Sequence, residues 1–336
     1  MFCALFCPFS QGPARGNITS VQRIAKHLQL QGCRVPLITL DTADLEHQLD
    51  LLLQDPPDLL HAFHAHYAGP IARATAARLG IPYLITLTGS DLFDPALRDH
   101  ADTLQALNDA KAVTCFDALV AEQAVAAFPD IAAKLTIIHQ GVEPHPVVPH
   151  CTRTDSALVI LLPAALRPVK GIETALEQLT PLALQLPHLQ LWIVGGVIDP
   201  GYAAMISARA ARLPWVRLLG EVPHRAMGSC YASADLVLNC SIFEGGMANA
   251  LLEAMVLGRP VIANNIPGNR SLIRHGKTGW LYSSGEELRQ LVVALAQQPD
   301  QRLSVGRAAQ QLALTTFCPE QEARDLIRLY RQIRDA

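Results

Sequence analysis

ADLVLNCSIFEGGMANALLEAMVLGRPVIANN, residues 234–265, decides the fold. Leu236–Leu238 is apolar at every position instead of alternating, the pattern of a strand covered on both faces. Glu244, Gly245 and Gly246 interrupt it. A helical pattern then runs over 247–258, and a second apolar run begins at 260. A strand, a helix and another strand in this order form a βαβ unit, and hence a parallel sheet.

The same alternation extends both ways. Upstream, strands are expected at 2–7, 34–40, 58–63, 83–87, 112–115 and 135–139. A second series follows at 157–162, 189–195, 215–218, 235–239, 260–263 and 279–282. Helical patterns lie between them, for example at 18–31, 68–79, 117–128, 171–186, 247–258 and 285–298. Residues 139–155 separate the series; they hold Pro144, Pro146 and Pro149, show no periodicity and read as a linker. The expected class is therefore α/β, with two doubly wound parallel-sheet domains at 1–145 and 156–318. A last helix, 319–336, carries Leu326, Ile327, Tyr330 and Ile333 on one side.

A chain of 336 residues suits two domains and a large core. Half of it is hydrophobic and its net charge is −3, which excludes a disordered chain. No basic run occurs, so binding to nucleic acid through phosphate contacts is not expected. The longest nearly continuous apolar stretch, residues 157–166, falls far short of the roughly 20 residues that span a bilayer. MFCALFCPFS lacks a basic leader and a cleavage site and reads as a buried first strand. The chain is thus expected to be soluble and cytoplasmic, with a homodimer left open by its apolar excess. Residues 1–150 hold nine Lys and Arg against fifteen Asp and Glu, a net of −6; residues 151–336 hold eighteen against fifteen, a net of +3. The second domain is the better host for an anion. The cysteines at 3, 7, 33, 115, 151, 230, 240 and 318 show no C-x-x-C spacing and read as reduced, buried thiols.

Four clusters could carry chemistry. In the first, glycines at 245 and 246 let the backbone approach a ligand. The helix start near Met247, Ala248, Asn249 and Ala250 offers unsatisfied N–H groups to an anion, and Glu253 can accept from a ribose diol. The second is Arg167 and Lys170, two cations in a βα loop suited to phosphate. The third is the glycine loop around Gly12, Gly16 and Asn17, where Asn17 or Thr19 would cap the following helix; it does not match G-x-G-x-x-G, which speaks against a dinucleotide oxidoreductase. The fourth pairs His61, His64 and His66 with Gly89, Ser90 and Asp91. Spacings of three and two at a strand end do not put three imidazoles on one face, so a ligand-facing histidine is favoured over a metal site.

The strings LRPVKG, LLGEVPHRAM, ADLVLNCSIFEGGMANALLEAM and GRPVIANNIPGNRSLIRHGKTGWLY resemble family 4 of the retaining glycosyltransferases. Among its members the chain is similar to the glycosyltransferase-1-domain-containing protein 1 group. LTGSDL and GNITS are also similar to the selenosugar synthase of selenoneine biosynthesis. The resemblance implies the GT-B fold, two facing Rossmann-like domains with a C-terminal helix that crosses back to the first. It implies transfer of a sugar from a UDP- or GDP-sugar to an unidentified acceptor, with retention, domain closure at the linker and no metal or other cofactor; the chain has no D-x-D. Arg167 and Lys170 would hold the donor diphosphate, Glu244 the donor sugar, and Gly245, Gly246, Met247, Ala248, Asn249 and Ala250 the phosphates. Glu253 would take the ribose, while Val222 and Pro223 would border the base. His64 or His66 would reach the donor sugar, and Gly12, Gly16, Asn17, His66 and Asp91 would line the acceptor side. The family spaces its two glutamates eight apart; here they are nine apart. The alternatives are selenosugar-synthase-like transfer to a small selenium or phosphate nucleophile, and a binding module without chemistry.

Overall fold

The computed structural model describes residues 1–9, 16–147, 151, 153, 157–244 and 246–335. Gly12 and Gly245 lie outside them. The chain divides into two compact units, one of residues 1–141 with 317–336, the other of residues 142–316.

The first unit is built on strands β1 (Cys3–Cys7), β2 (Leu37–Thr39), β3 (Leu59–Phe63), β4 (Tyr83–Thr86), β5 (Ala112–Cys115) and β6 (Leu135–Ile137). They lie in the order 2-1-3-4-5-6, every neighbour parallel. The second unit holds β7 (Leu158–Pro163), β8 (Leu189–Val194), β9 (Val216–Gly220), β10 (Leu236–Asn239), β11 (Val261–Asn264) and β12 (Trp280–Tyr282), in the order 12-11-10-7-8-9. These pairs are also all parallel. The expected α/β class with two doubly wound sheets is the fold of the protein.

Helices on both faces explain why the strands are apolar throughout. In the first unit Ala4, Phe6, Leu60, Ala62 and Ile85 share one core. Cys3, Leu5, Cys7, Leu59 and Phe63 share the other with Val21, Ile24 and Leu28 of the helix Gly16–Leu30. That second core is closed by Leu326, Ile327, Tyr330 and Ile333 of the last helix, Pro319–Arg334. The C-terminal helix thus packs on the first sheet although the second unit precedes it in sequence. Polar contacts fix it there: Arg23 donates to the buried Glu322 carboxylate at 3.1–3.3 Å, and Tyr330 Oη lies 2.6 Å from His61 Nδ1. Burial of Glu322 raises its pKa, against the pull of Arg23. In the second unit Ile160, Leu162, Leu191, Ile193, Leu236 and Leu238 pack against Ile172, Leu176 and Leu179 of the helix Ile172–Gln185. Each such fully buried side chain contributes about 1.5–3 kcal/mol.

Three expectations need correction. The helix after β10 runs over Asn249–Val256, because Ala248 is extended (φ −71°, ψ 109°) and serves as its N-cap; Met247 and Ala248 precede it. Asn17 and Thr19 lie within the helix Gly16–Leu30 and not at its cap. Cys151 and Cys230 are joined in a disulfide, with Cα atoms 5.5 Å apart. They are 79 residues apart in sequence, beyond the reach of a spacing rule. The other six cysteines are thiols, five of them buried. No described helix is long and apolar enough to cross a membrane.

Candidate functional site

In a doubly wound sheet, ligands bind beyond the carboxyl ends of the strands where the winding reverses. In the second unit that point lies between β7 and β10, since the chain winds from β7 to β8 and β9 on one side and from β10 to β11 and β12 on the other. The loop after β7 carries Arg167 and Lys170. The loop after β10 carries Glu244 and leads into the helix Asn249–Val256. Topology alone therefore brings the two strongest sequence clusters together.

Local chemistry joins the two loops. Ile242 N–H donates to Val169 O at 3.0 Å. Gly171 has φ +59°, and a Cβ there would collide with the carbonyl oxygen of Cys240, so only glycine allows this approach. Lys170 Nζ then reaches Glu244 Oε1 at 2.6 Å. The same oxygen accepts from Ser241 Oγ at 2.6 Å and Asn239 Nδ2 at 3.2 Å. Burial opposes ionisation of Glu244, but the Lys170 ammonium and these donors outweigh it, and its pKa falls below the usual carboxylate range. Arg167 stands differently: its buried Nε has no hydrogen-bond partner.

An asparagine network supports the turn from below. Asn239 Oδ1 accepts from Ser241 N–H at 3.0 Å, Asn264 Nδ2 donates to Ser241 O at 3.0 Å, and the fully buried Asn269 donates to Asn264 O at 2.9 Å. Gly268 lets this loop approach closely; a Cβ there would meet the Gly246 carbonyl oxygen. No side chain caps the helix Asn249–Val256, so its positive end is open to an anion.

Glu253, one turn into that helix, faces a different neighbourhood. Tyr231 Oη donates to its Oε2 at 2.8 Å, and His224 Nε2 lies 3.0 Å from its Oε1. His145 Nε2 stands 3.5 Å from Oε2. Burial would raise its pKa; the two imidazoles beside it outweigh that and bring it to about 2. The buried Val222 and its neighbour Pro223 lead directly into His224, so the loop after β9 reaches the same carboxylate.

The first unit reverses its winding between β1 and β3. His64 follows β3 with φ +86°, among the described residues the one non-glycine with positive φ, a conformation that strains a bulky residue. Its Nδ1 accepts from the N–H groups of His66 and Tyr67, each at 3.3 Å, which leaves Nε2–H to donate to Ser90 Oγ at 2.8 Å. Burial lowers its pKa, so the ring is neutral. His66 Nδ1 turns to Thr103 Oγ1 at 3.0 Å, and His61 is wholly buried between Tyr330 and Thr86. The three rings go to three different partners. Asp91 is fully buried, and its oxygens accept from Ala65, Thr88 and Gly89 N–H groups at 2.7–3.2 Å. It ties two loops together.

Sequence reasoning missed Asn239, Ser241, Asn269, Tyr231, His145 and His224. The asparagines lie within strings already singled out. The two histidines are 79 residues apart, and no local pattern relates them.

Residues 157–298 match the family model described as glycosyl transferases group 1. The chain is 26% identical over 303 residues to glycosyltransferase 1 domain-containing protein 1 of Xenopus tropicalis, covering 85% of each. It is 25% identical to a D-inositol 3-phosphate glycosyltransferase of Thermobispora bispora, over 82% of this chain and 73% of that one. Among solved structures, a glycosyltransferase from Rickettsia africae superposes with a TM-score of 0.80 at 16% identity, over 99% of this chain and 98% of that one. Anabaena Alr3699/HepE in complex with UDP-glucose gives 0.76 at 17%, over 98% and 99%. At such identities these structures share the fold, which is GT-B.

Proposed function

We propose that this chain, whose residues 157–298 form a glycosyl transferases group 1 domain, transfers a sugar from a nucleoside-diphosphate sugar to an acceptor, with retention at the anomeric carbon. One observation carries the reading: the Arg167–Lys170 loop and the Glu244 turn meet where the second sheet reverses its winding, ahead of an uncapped helix start.

The difficult step is departure of the nucleoside diphosphate while the sugar becomes oxocarbenium-like. Negative charge then grows on the leaving phosphate, and fixed positive charge there lowers the barrier. Arg167 supplies a guanidinium in the loop after β7, and the helix start supplies backbone donors. Lys170 is already held by Glu244, so a bound diphosphate would share that ammonium. Charged hydrogen bonds of about 1.5–3 kcal/mol each, with a helix end at up to about 2, provide a useful share of the roughly 8–23 kcal/mol typical of enzymes. Glu244 faces the sugar hydroxyls and Glu253 the ribose diol. The residues named need no metal for this step.

The test is turnover with UDP-, GDP- and ADP-sugars, followed by nucleoside-diphosphate release. Wild type should release one diphosphate in preference to the others, and Arg167→Ala should lower the rate by orders of magnitude. Proton NMR of the product should show the donor's anomeric configuration. An inverted product would overturn retention, and equal rates in wild type and Arg167→Ala would remove the phosphate role.

A further inference from the structure

His145, His224 and Glu253 are, among the described residues, the group of three whose ligand atoms converge for a metal: one nitrogen or oxygen from each lies within 4.8 Å of the others. Different parts of the second unit deliver them. His145 sits in the segment 142–147, pressed against the helix Met227–Ser233, where a Cβ on Gly228 would meet the Pro146 carbonyl oxygen. His224 follows β9, and Glu253 lies on the helix Asn249–Val256. The two imidazoles stand edge to face, with centroids 4.2 Å apart.

Two features separate this group from an ordinary histidine–carboxylate hydrogen bond. His145 is more than nine-tenths buried, yet its Nε2 has no hydrogen-bond partner and points at Glu253 Oε2 from 3.5 Å. Buried polar atoms in native proteins are nearly always satisfied, so an orphan aimed into a cluster of donors calls for an occupant. The second is that each imidazole approaches a different oxygen of the same carboxylate, His224 at Oε1 and His145 at Oε2. A tetrahedral zinc with bonds of about 2.0–2.1 Å holds its ligands about 3.3–3.4 Å apart. The two nitrogen-to-carboxylate distances are 3.0 and 3.5 Å. Tyr231 Oη, bonded to Glu253 Oε2 at 2.8 Å, is placed as the outer-shell donor that orients a ligating carboxylate.

We propose that His145, His224 and Glu253 form a binding site for a divalent transition metal of the zinc class, with two imidazole nitrogens, one carboxylate and an open fourth position. Two imidazoles and a carboxylate favour zinc, cobalt or copper over magnesium or calcium. The site is separate from the phosphate machinery at Arg167 and Lys170. It shares Glu253 with the ribose position of the proposed donor site, so on that reading metal and nucleotide contend for one carboxylate.

The test uses the full chain, stripped of metal and free of nucleotide, titrated with Co²⁺ and read by visible absorption. It therefore stands or falls apart from the donor reading. The expected result is a set of d–d bands of low-coordinate Co²⁺ that saturates at one equivalent and is bleached by Zn²⁺. His224→Ala removes a half-exposed ligand with little demand on the fold, and should weaken binding at least tenfold. His145→Asn should do the same, while His188→Ala, an exposed histidine elsewhere in this unit, should bind as wild type does. Absence of bands overturns the proposal. So do bands that persist in both His145→Asn and His224→Ala, or near-ultraviolet charge transfer that marks thiolate ligands instead.

Discussion

Replacing Lys170 with methionine removes the ammonium held against Glu244 and keeps most of the volume. Lys170 Nζ lies 2.6 Å from Glu244 Oε1, and the two side chains are 17% and 13% exposed. At an effective dielectric near 20, unit charges at this distance attract by roughly 6 kcal/mol, much of it offset by desolvation. Breaking such a pair from one side costs about 3–5 kcal/mol when both groups are buried. Ser241 and Asn239 still donate to the carboxylate, so we expect the low end, about 3 kcal/mol. The assay is specific to this unit. All three tryptophans, Trp192, Trp215 and Trp280, lie in residues 142–316, so tryptophan fluorescence during urea unfolding follows the second unit alone. Lys170→Met should lower that stability by about 3 kcal/mol, whereas Lys170→Met with Glu244→Gln should recover most of the loss. The sign with pH follows from the lowered pKa of Glu244. Its contribution is complete above the reference value of 4.5 and is lost as pH falls through its depressed folded value, so the gap between wild type and Lys170→Met closes in acid. A midpoint for Lys170→Met within about 0.5 kcal/mol of wild type, or a double variant no better than the single, refutes the reasoning.

Three further outcomes are expected. His61 is buried neutral, its pKa lowered by burial from 6.5 to about 3; the unfolded chain binds the proton first, so stability falls as pH drops below about 6.5, by about 2 kcal/mol at pH 5. Urea unfolding by circular dichroism at pH 7 and 5 should show this loss, and His61→Gln should flatten it. Arg23→Met leaves Glu322 buried without its partner and should cost about 3–5 kcal/mol, read as faster hydrogen exchange in residues 319–334 under conditions where wild type stays protected. Gly171→Ala combines positive φ with a collision at Cys240 O and should lower the tryptophan-monitored midpoint by about 2 kcal/mol or more, with weaker nucleotide binding.

The strands were legible because a sheet covered on both faces leaves no polar positions in runs such as Leu158–Leu162. Parallel pairing was also implicit in two series of strands joined by helices; the winding order was not, since the first sheet sets β1 beside β3 whereas the second sets β7 beside β10. The site was legible only where composition is unusual. Gly245–Gly246 and the cations of LRPVKG stand out against their flanks, whereas Asn239, Asn264 and Asn269 do so only once two strand ends and the turn after β11 are brought together. Asp91 is placed on the acceptor side only by the family resemblance, and its local string does not show that it is a buried tie between loops. Its backbone partners come partly from Ala65, 26 residues away, and nothing local announces them. His145, His224 and the Cys151–Cys230 bond were hidden for the same reason: their relations are made by tertiary packing and carry no period.

The central claim is that the loops after β7 and β10 in the second unit form a nucleoside-diphosphate site. It is tested most directly by thermal unfolding followed by tryptophan fluorescence, with UDP-, GDP- and ADP-sugars in the presence of a chelator. A ligand at about 100 times its dissociation constant adds about 2.7 kcal/mol. The account predicts that one nucleotide class raises the transition of wild type and leaves that of Arg167→Ala, equally folded without ligand, nearly unmoved. Equal stabilisation of both proteins, or of neither by any nucleotide, would contradict it.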